Sequence, residues 1–133
     1  MPGSTAHYTF HIIMIHITQE RIETLLPLKP LELSVLLVLA EGPGYGYGIV
    51  QRIARAELGS IRLAPSNLYY VLDRMMGAGL VEETGSEEGG AEPIRRRYYG
   101  ITRFGRAVAE AEAARLAGVL RTAERLRLTG GTA

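Results

Sequence analysis

Cysteine is absent from the 133 residues, which excludes disulfides and thiolate metal sites and leaves the redox compartment open. No apolar run reaches the roughly 18 residues of a membrane span, so no membrane partner is expected. The N-terminus lacks a basic stretch ahead of the apolar segment Ile12 to Ile17, which argues against a secretory signal and makes the cytoplasm the default location. Lysine is nearly missing: Lys29 stands alone beside fourteen arginines. A net charge of only +1 argues against a generic polycationic nucleic-acid coat. Outside the first 27 residues there is no paired His and acid, no nucleophile with a base, and no metal-ligand set, so neither an enzyme nor a cofactor is expected.

What charge there is lies in clusters. Arg95, Arg96 and Arg97 form the only basic run, and Glu82, Glu83, Glu87, Glu88 and Glu92 gather just before it. Any phosphate-binding surface must therefore be local. The length suits one domain with a single core.

Residues 1–27 read as an N-terminal arm of unclear structure. YTFHIIMIHI is β-branched and aromatic, which favours a short strand, while TQERIETLL can start a helix. A helix would put His7 and His11 on one face, the spacing of a metal pair. No Cys, Asp or Glu accompanies them before Glu20, and the composition opposes the helix. An ordinary arm, or a true start at Met14, is the plainer account.

A helix is predicted from about Leu28 or Pro30 to Glu41, with Pro30 in its first turn, Glu32 at the positive dipole end, and Leu31, Val35, Leu36 and Leu39 as its apolar stripe. Gly42-Pro43 stops it. The turn GPGYGYG leads to a second helix over about Gly46 to Glu57, with Ile49, Ile53 and Ala54 inward and Arg52 and Arg55 outward. The glycines match no nucleotide-loop spacing; their role is close approach of two helices. A third helix is predicted from Pro65 to Ala78, with Gly79 as a left-handed cap and Leu80 folding back on Met75. Leu68, Leu72 and Met75 face the core. Ser66, Asn67, Tyr70, Asp73, Arg74 and Gly77 face out, and Ser66, Asn67, Tyr70 and Arg74 are side chains that reach phosphates and base edges.

LVEET, a Gly- and Glu-rich tip from Gly85 to Pro93, and IRRRYYGI make a β-hairpin. Alternation places Arg95, Arg97, Tyr99 and Ile101 on one face and Arg96 and Tyr98 on the other. Tyr99 and Ile101 are expected to face the core, leaving Arg96 outward, with Arg95 free near the tip. Pairing of these arginines with Glu82, Glu83 or Glu92 across the ladder is the competing account. Thr102 caps a last helix running to about Leu128, roughly 40 Å at 1.5 Å per residue. Its stripe of Phe104, Val108, Ala111, Leu116, Val119, Ala123 and Leu126 must find a partner. A second copy is the economical one, and packing on the N-terminal arm is the competitor.

Helix, helix, helix, basic hairpin, long helix is the order of a mainly α winged helix-turn-helix with a C-terminal dimerisation helix. The chain from about Leu28 to Leu128 resembles the PadR-like transcriptional regulators of bacteria. Gly46-Tyr47-x-Ile49 is similar to that family's signature between its first two helices, with Gly48 replacing a usual acid. APSNLYYVLDRMMGAGLV resembles its recognition helix, with Leu68-Tyr69, Leu72 and Gly79-Leu80-Val81 in place. RRRYYGITRFGR resembles its wing-to-last-helix block, including Tyr98-Tyr99, Thr102 and Gly105. Ala64 stands where a capping Ser is common, and Ser66-Asn67 replaces a frequent Gly-Thr. The absence of Trp departs from members with an indole-lined pocket between dimer helices.

The resemblance implies a homodimer that binds double-stranded DNA at a pseudo-palindromic operator through third helices and wings, often released by a small effector. The DNA-binding residues expected are Ser66, Asn67, Tyr69, Tyr70, Arg74, Arg95, Arg96 and Arg97. The dimer contacts expected are Phe104, Val108, Leu116, Val119 and Leu126. The organisation is an arm over 1–27, a winged helix-turn-helix over 28–101, a dimerisation helix over 102–128 and a flexible tail over 129–133. The runner-up is a winged-helix protein-interaction module without DNA binding, favoured by the acids around the wing.

Overall fold

The computed structural model describes residues 2–56, 65–87 and 96–130, with the side chains of residues 2–4, 65, 66, 86, 87 and 96 outside that description. The chain order is α1 (Pro2–Leu25), α2 (Pro30–Glu41), β1 (Gly44–Tyr45), α3 (Gly46–Arg55), α4 (Pro65–Gly77), β2 (Val81–Glu87), β3 (Arg96–Ile101) and α5 (Arg103–Arg125).

The arm is a helix of 24 residues, not a strand. β-branched residues cost a helix only a few tenths of a kcal/mol each, and between Ser4 and Leu26 there is neither Gly nor Pro to stop it. Its threonines satisfy their hydroxyls on the preceding turn, Thr9 on the Thr5 carbonyl and Thr18 on that of Met14. Only its C-terminal end is anchored within the chain. Ile22 and Leu25 pack on the core, and the Arg21 guanidinium lies 4.6 Å from the Phe104 ring centre and donates to the Ala78 carbonyl at 3.3 Å. Tyr8, Phe10, Ile12, Ile13, Met14, Ile15 and Ile17 are all exposed. A helix apolar on every side normally lies buried.

Helix α2 carries the centre of the core: Val35, Leu36, Val38 and Leu39 are buried, while Leu31 is half-buried. Its C-terminal carbonyls have no left-handed glycine cap, and arginines take that role. Arg52 donates to the carbonyls of Val38, Gly42 (3.0 Å) and Pro43 (3.3 Å), and Arg106 of α5 donates to that of Ala40. The outward placement of Arg52 is thereby corrected. Four orphan carbonyls attract a fork of donors more strongly than water holds it. Ala54 is also corrected, being exposed, because only Ile49 and Ile53 of α3 lie on the core side.

Helix α4 ends as a Schellman motif. Gly79 has φ 78°, its amide bonds the Met76 carbonyl at 3.0 Å, and the Leu80 amide bonds that of Met75 at 2.9 Å. The sheet is antiparallel in the order β1-β3-β2. Strand β2 continues past the expected tip boundary at Gly85 to Glu87, with the register breaking between Glu83 and Gly85. The two-residue strand β1, unforeseen within the glycine turn, pairs Gly44 with Tyr99 and Tyr45 with Tyr98.

Thr102 caps α5 as expected: its hydroxyl accepts from the Gly105 amide at 2.9 Å and donates to the Gly79 carbonyl at 2.6 Å. The first half of α5 belongs to the same core as α2–α4. Val108 is fully buried within one chain, and Phe104 packs against the core beneath Arg21. Val108 is therefore not a free dimer contact, and Phe104 is only half-buried. Leu116, Val119 and Leu126 are exposed, with Leu120 beside them.

Candidate nucleic-acid interface

Two helices and a strand pair converge on one region. Helix α4 divides cleanly, with Leu68, Leu72 and Met75 fully buried and Asn67, Tyr70, Asp73, Arg74 and Gly77 exposed. Asn67, Tyr70 and Arg74 follow at i, i+3 and i+7, so they share a single face. Tyr70 is 65% exposed, so its ring is not spent on packing against a neighbouring helix. The Arg74 guanidinium sits 5.9 Å from the Tyr70 ring centre and 3.8 Å from the Glu32 carboxylate.

Tyr69 is half exposed and its other half rests on Gly46. A Cβ there would lie 2.8 Å from the Tyr69 Cζ, so the glycine permits the close contact of α3 and α4. Next to it, Tyr47 on the first turn of α3 is 58% exposed. It was missed as a surface residue, although the Gly-Tyr repeat marked it.

On the hairpin, Glu82, Glu83 and Thr84 are exposed, and so is Arg97. Arg97 Nε lies 3.9 Å from Glu83, the cross-strand pairing weighed above. A pair this exposed contributes at most about 1 kcal/mol and exchanges readily for another anion. Tyr99 is buried as expected. Burial pushes its phenol above the ordinary value, with the Arg97 charge pulling the other way. Tyr98 meets the Tyr45 ring edge-on at 5.7 Å, joining hairpin base to the turn before α3. Arg95 and the side chains of Ser66 and Arg96 lie outside the described residues.

His7 and His11 do fall on a helix, and His16 pairs with Glu20 at 3.1 Å. Among the described residues no cluster of three or more His, Asp or Glu could hold a metal. No described helix is long and apolar enough to cross a membrane.

A three-helix unit with a second helix abutting an outward-facing third, a hairpin at its side and a long last helix defines a winged helix-turn-helix protein. A model described as the transcriptional regulator PadR-like family matches residues 35–111, more than half of the chain. The chain belongs to this PadR-like family, whose members are transcription regulators and not enzymes. It is similar to a PadR-like regulator from Bacillus cereus, with 26% identity, 76% of this chain and 93% of that one covered, and a TM-score of 0.61. A PadR family regulator from Clostridium difficile shares the fold at 20% identity, 71% and 95% coverage and TM-score 0.61. Bacillus subtilis PadR, solved with operator DNA, does so at 19% identity, 64% and 47% coverage and TM-score 0.56. Comparison with the curated proteins gave no match.

Proposed function

We propose that the chain is a homodimeric, sequence-specific DNA-binding repressor, released from its operator by a small-molecule effector. The observation that carries this reading is the division of α4, with three fully buried core residues behind a face of Asn67, Tyr70 and Arg74. That face is shaped to enter a major groove, Asn67 reading a base edge and Arg97 with the neighbouring wing arginines gripping phosphates. The B. subtilis relative in complex with operator DNA supports it. The apolar surface left bare on α1 and on the Leu116–Val119–Leu120 stretch of α5 supports a second copy as partner. A cavity of about 410 Å³ lined by Leu25, Leu28, Lys29, Glu32, Arg74 and Leu80 is a place from which an effector would act on α4.

Selection from random DNA tests the reading and is expected to enrich a pseudo-palindrome. With that operator, Arg97→Ala should weaken binding on all sequences alike and make the salt slope shallower by about 1 unit. Asn67→Ala should instead narrow the gap between operator and random DNA. Uniform weakening by Asn67→Ala would count against base reading. The second reading, a protein-interaction module, is favoured by the exposed Glu82 and Glu83 and by the Glu83–Arg97 pair. It predicts no enrichment even at low salt.

A further inference from the structure

Glu112 is a buried acid that the DNA-binding reading leaves without a task. It lies on α5 one turn after Val108, on the core face, and is 1% exposed. An apolar residue would fill such a position at less cost, since a buried carboxylate must be paired and hydrogen-bonded. Oε1 accepts from Arg115 Nε, and Oε2 accepts from the Leu28 amide at 2.6 Å. The next amide, Lys29, donates to Glu32 Oε1 at 3.0 Å, and Glu32 Oε2 faces Arg74 at 3.8 Å. Arg74 in turn lies by Tyr70 on the outward face of α4.

The segment joining α1 to α2 is Leu26-Pro27-Leu28-Lys29, and Pro30 opens α2. Proline has no amide proton, and the Leu26 amide is spent on the Glu23 carbonyl of α1 at 3.2 Å, so Leu28 and Lys29 hold the two backbone donors that remain. Both are taken by carboxylates, one from the last helix and one that also faces the recognition helix. Pro27 and Pro30 stiffen the chain on either side of the two amides, so a shift of one is passed to the other through a single residue, Leu28. We propose that Glu112 is a positioning residue for DNA binding, holding Arg74 and Tyr70 in place through the Leu28 and Lys29 amides and Glu32. The proposal rests on the DNA-binding reading. It gives the last helix, and whatever sets its angle, a relayed hold on the surface that meets DNA.

Two measurements on the full chain test it. In the first, amide hydrogen exchange is followed by NMR in wild type and in Glu32→Ala, a substitution at the rim that leaves the core intact. The Leu28 amide, bonded to Glu112 and not to Glu32, should exchange about fivefold faster, at the low end of ordinary site-to-site coupling. An unchanged Leu28 rate overturns the relay. In the second, operator and random-DNA affinities are compared for Glu112→Ala and Glu112→Gln at a temperature where circular dichroism shows each fully folded. Glu112→Ala should lose about tenfold in operator affinity with little change on random DNA. Glu112→Gln keeps an acceptor for Leu28 and should stay within about twofold of wild type on that same coupling scale. Equal losses in both variants, or none in either, refute the positioning role. A wild-type chain that enriches no operator refutes the DNA-binding reading, and the proposal with it, before any variant is made.

Discussion

Two glycines in this chain should answer the same added methyl group with opposite signs. Gly105, in the first turn of α5, is buried against the end of α4. A Cβ there would run into the Leu80 carbonyl oxygen and lie 2.9 Å from the carbonyl carbon. The obstacle is backbone and cannot rotate aside, so the cost sits near the top of the usual overpacking range of about 1–3 kcal/mol. Pushing α5 away also loosens the bond from the Thr102 amide to that carbonyl at 3.1 Å and from the Thr102 hydroxyl to Gly79 at 2.6 Å, about 1 kcal/mol each. The better helix propensity of Ala returns about 1 kcal/mol. Gly105→Ala should therefore destabilise by about 3–4 kcal/mol on these terms. Gly77, in the last turn of α4, has nothing within 4 Å of its would-be Cβ and no positive φ. Gly77→Ala should stabilise by about 0.5–1 kcal/mol through propensity alone. Urea unfolding followed by circular dichroism, at one fixed protein concentration because a dimer's stability depends on it, measures both. A Gly105→Ala loss under about 1 kcal/mol, below the usual overpacking range, would show that the α4–α5 contact is not tight, and a destabilising Gly77→Ala would show that its surroundings are not open.

Arg52→Ala should cost about 2–3 kcal/mol by the same assay, because it strips donors from three carbonyls at the end of α2. Arg52→Lys should recover less than half of that, since an ammonium cannot span them. The Arg115 hydrogen bond and the Leu28 amide hold the Glu112 carboxyl below its ordinary value of 4.5 against the opposing effect of burial. A lowered folded-state pKa means that the unfolded chain binds the extra proton first. The stability from this group is thus complete above about pH 4.5 and is lost as pH falls below it. Glu112→Gln should flatten the fall in stability over that acid range, and an unchanged pH profile would refute the assignment. Leu116→Glu should convert the proposed dimer to monomer by light scattering, and a variant of unchanged dimeric mass would remove Leu116 from the interface.

The parts of this fold legible in the sequence are those with a chemical stop or start. Pro30 and Pro65 open α2 and α4, Thr102 opens α5, and Gly79 closes α4 at a left-handed residue. The face of α4 followed from spacing alone, since Leu68, Leu72 and Met75 leave only one side for Asn67 and Tyr70. Helix α1 was not legible because local β preference is weak and no breaker opposed a helix. Strand β1 is two residues long, too short to carry a period. Arg52 and Glu112 were missed for a shared reason: each answers a backbone need created by a distant segment. Val108 was assigned to a dimer because a stripe shows that a face is apolar, not which partner covers it.

The two residues of β1 have a further consequence for operator choice. They tie the base of the hairpin to the residue that opens α3, and α3 in turn holds α4 through the close contact of Tyr69 with Gly46, so hairpin, α3 and α4 travel together as one block. In a symmetric dimer such a block has little freedom to stretch towards a more distant half-site. In the proposed dimer, the separation of half-sites it tolerates would then be set by how α1 and α5 cross their counterparts. Relatives with interchangeable recognition helices but different crossing angles would read the same words at different intervals.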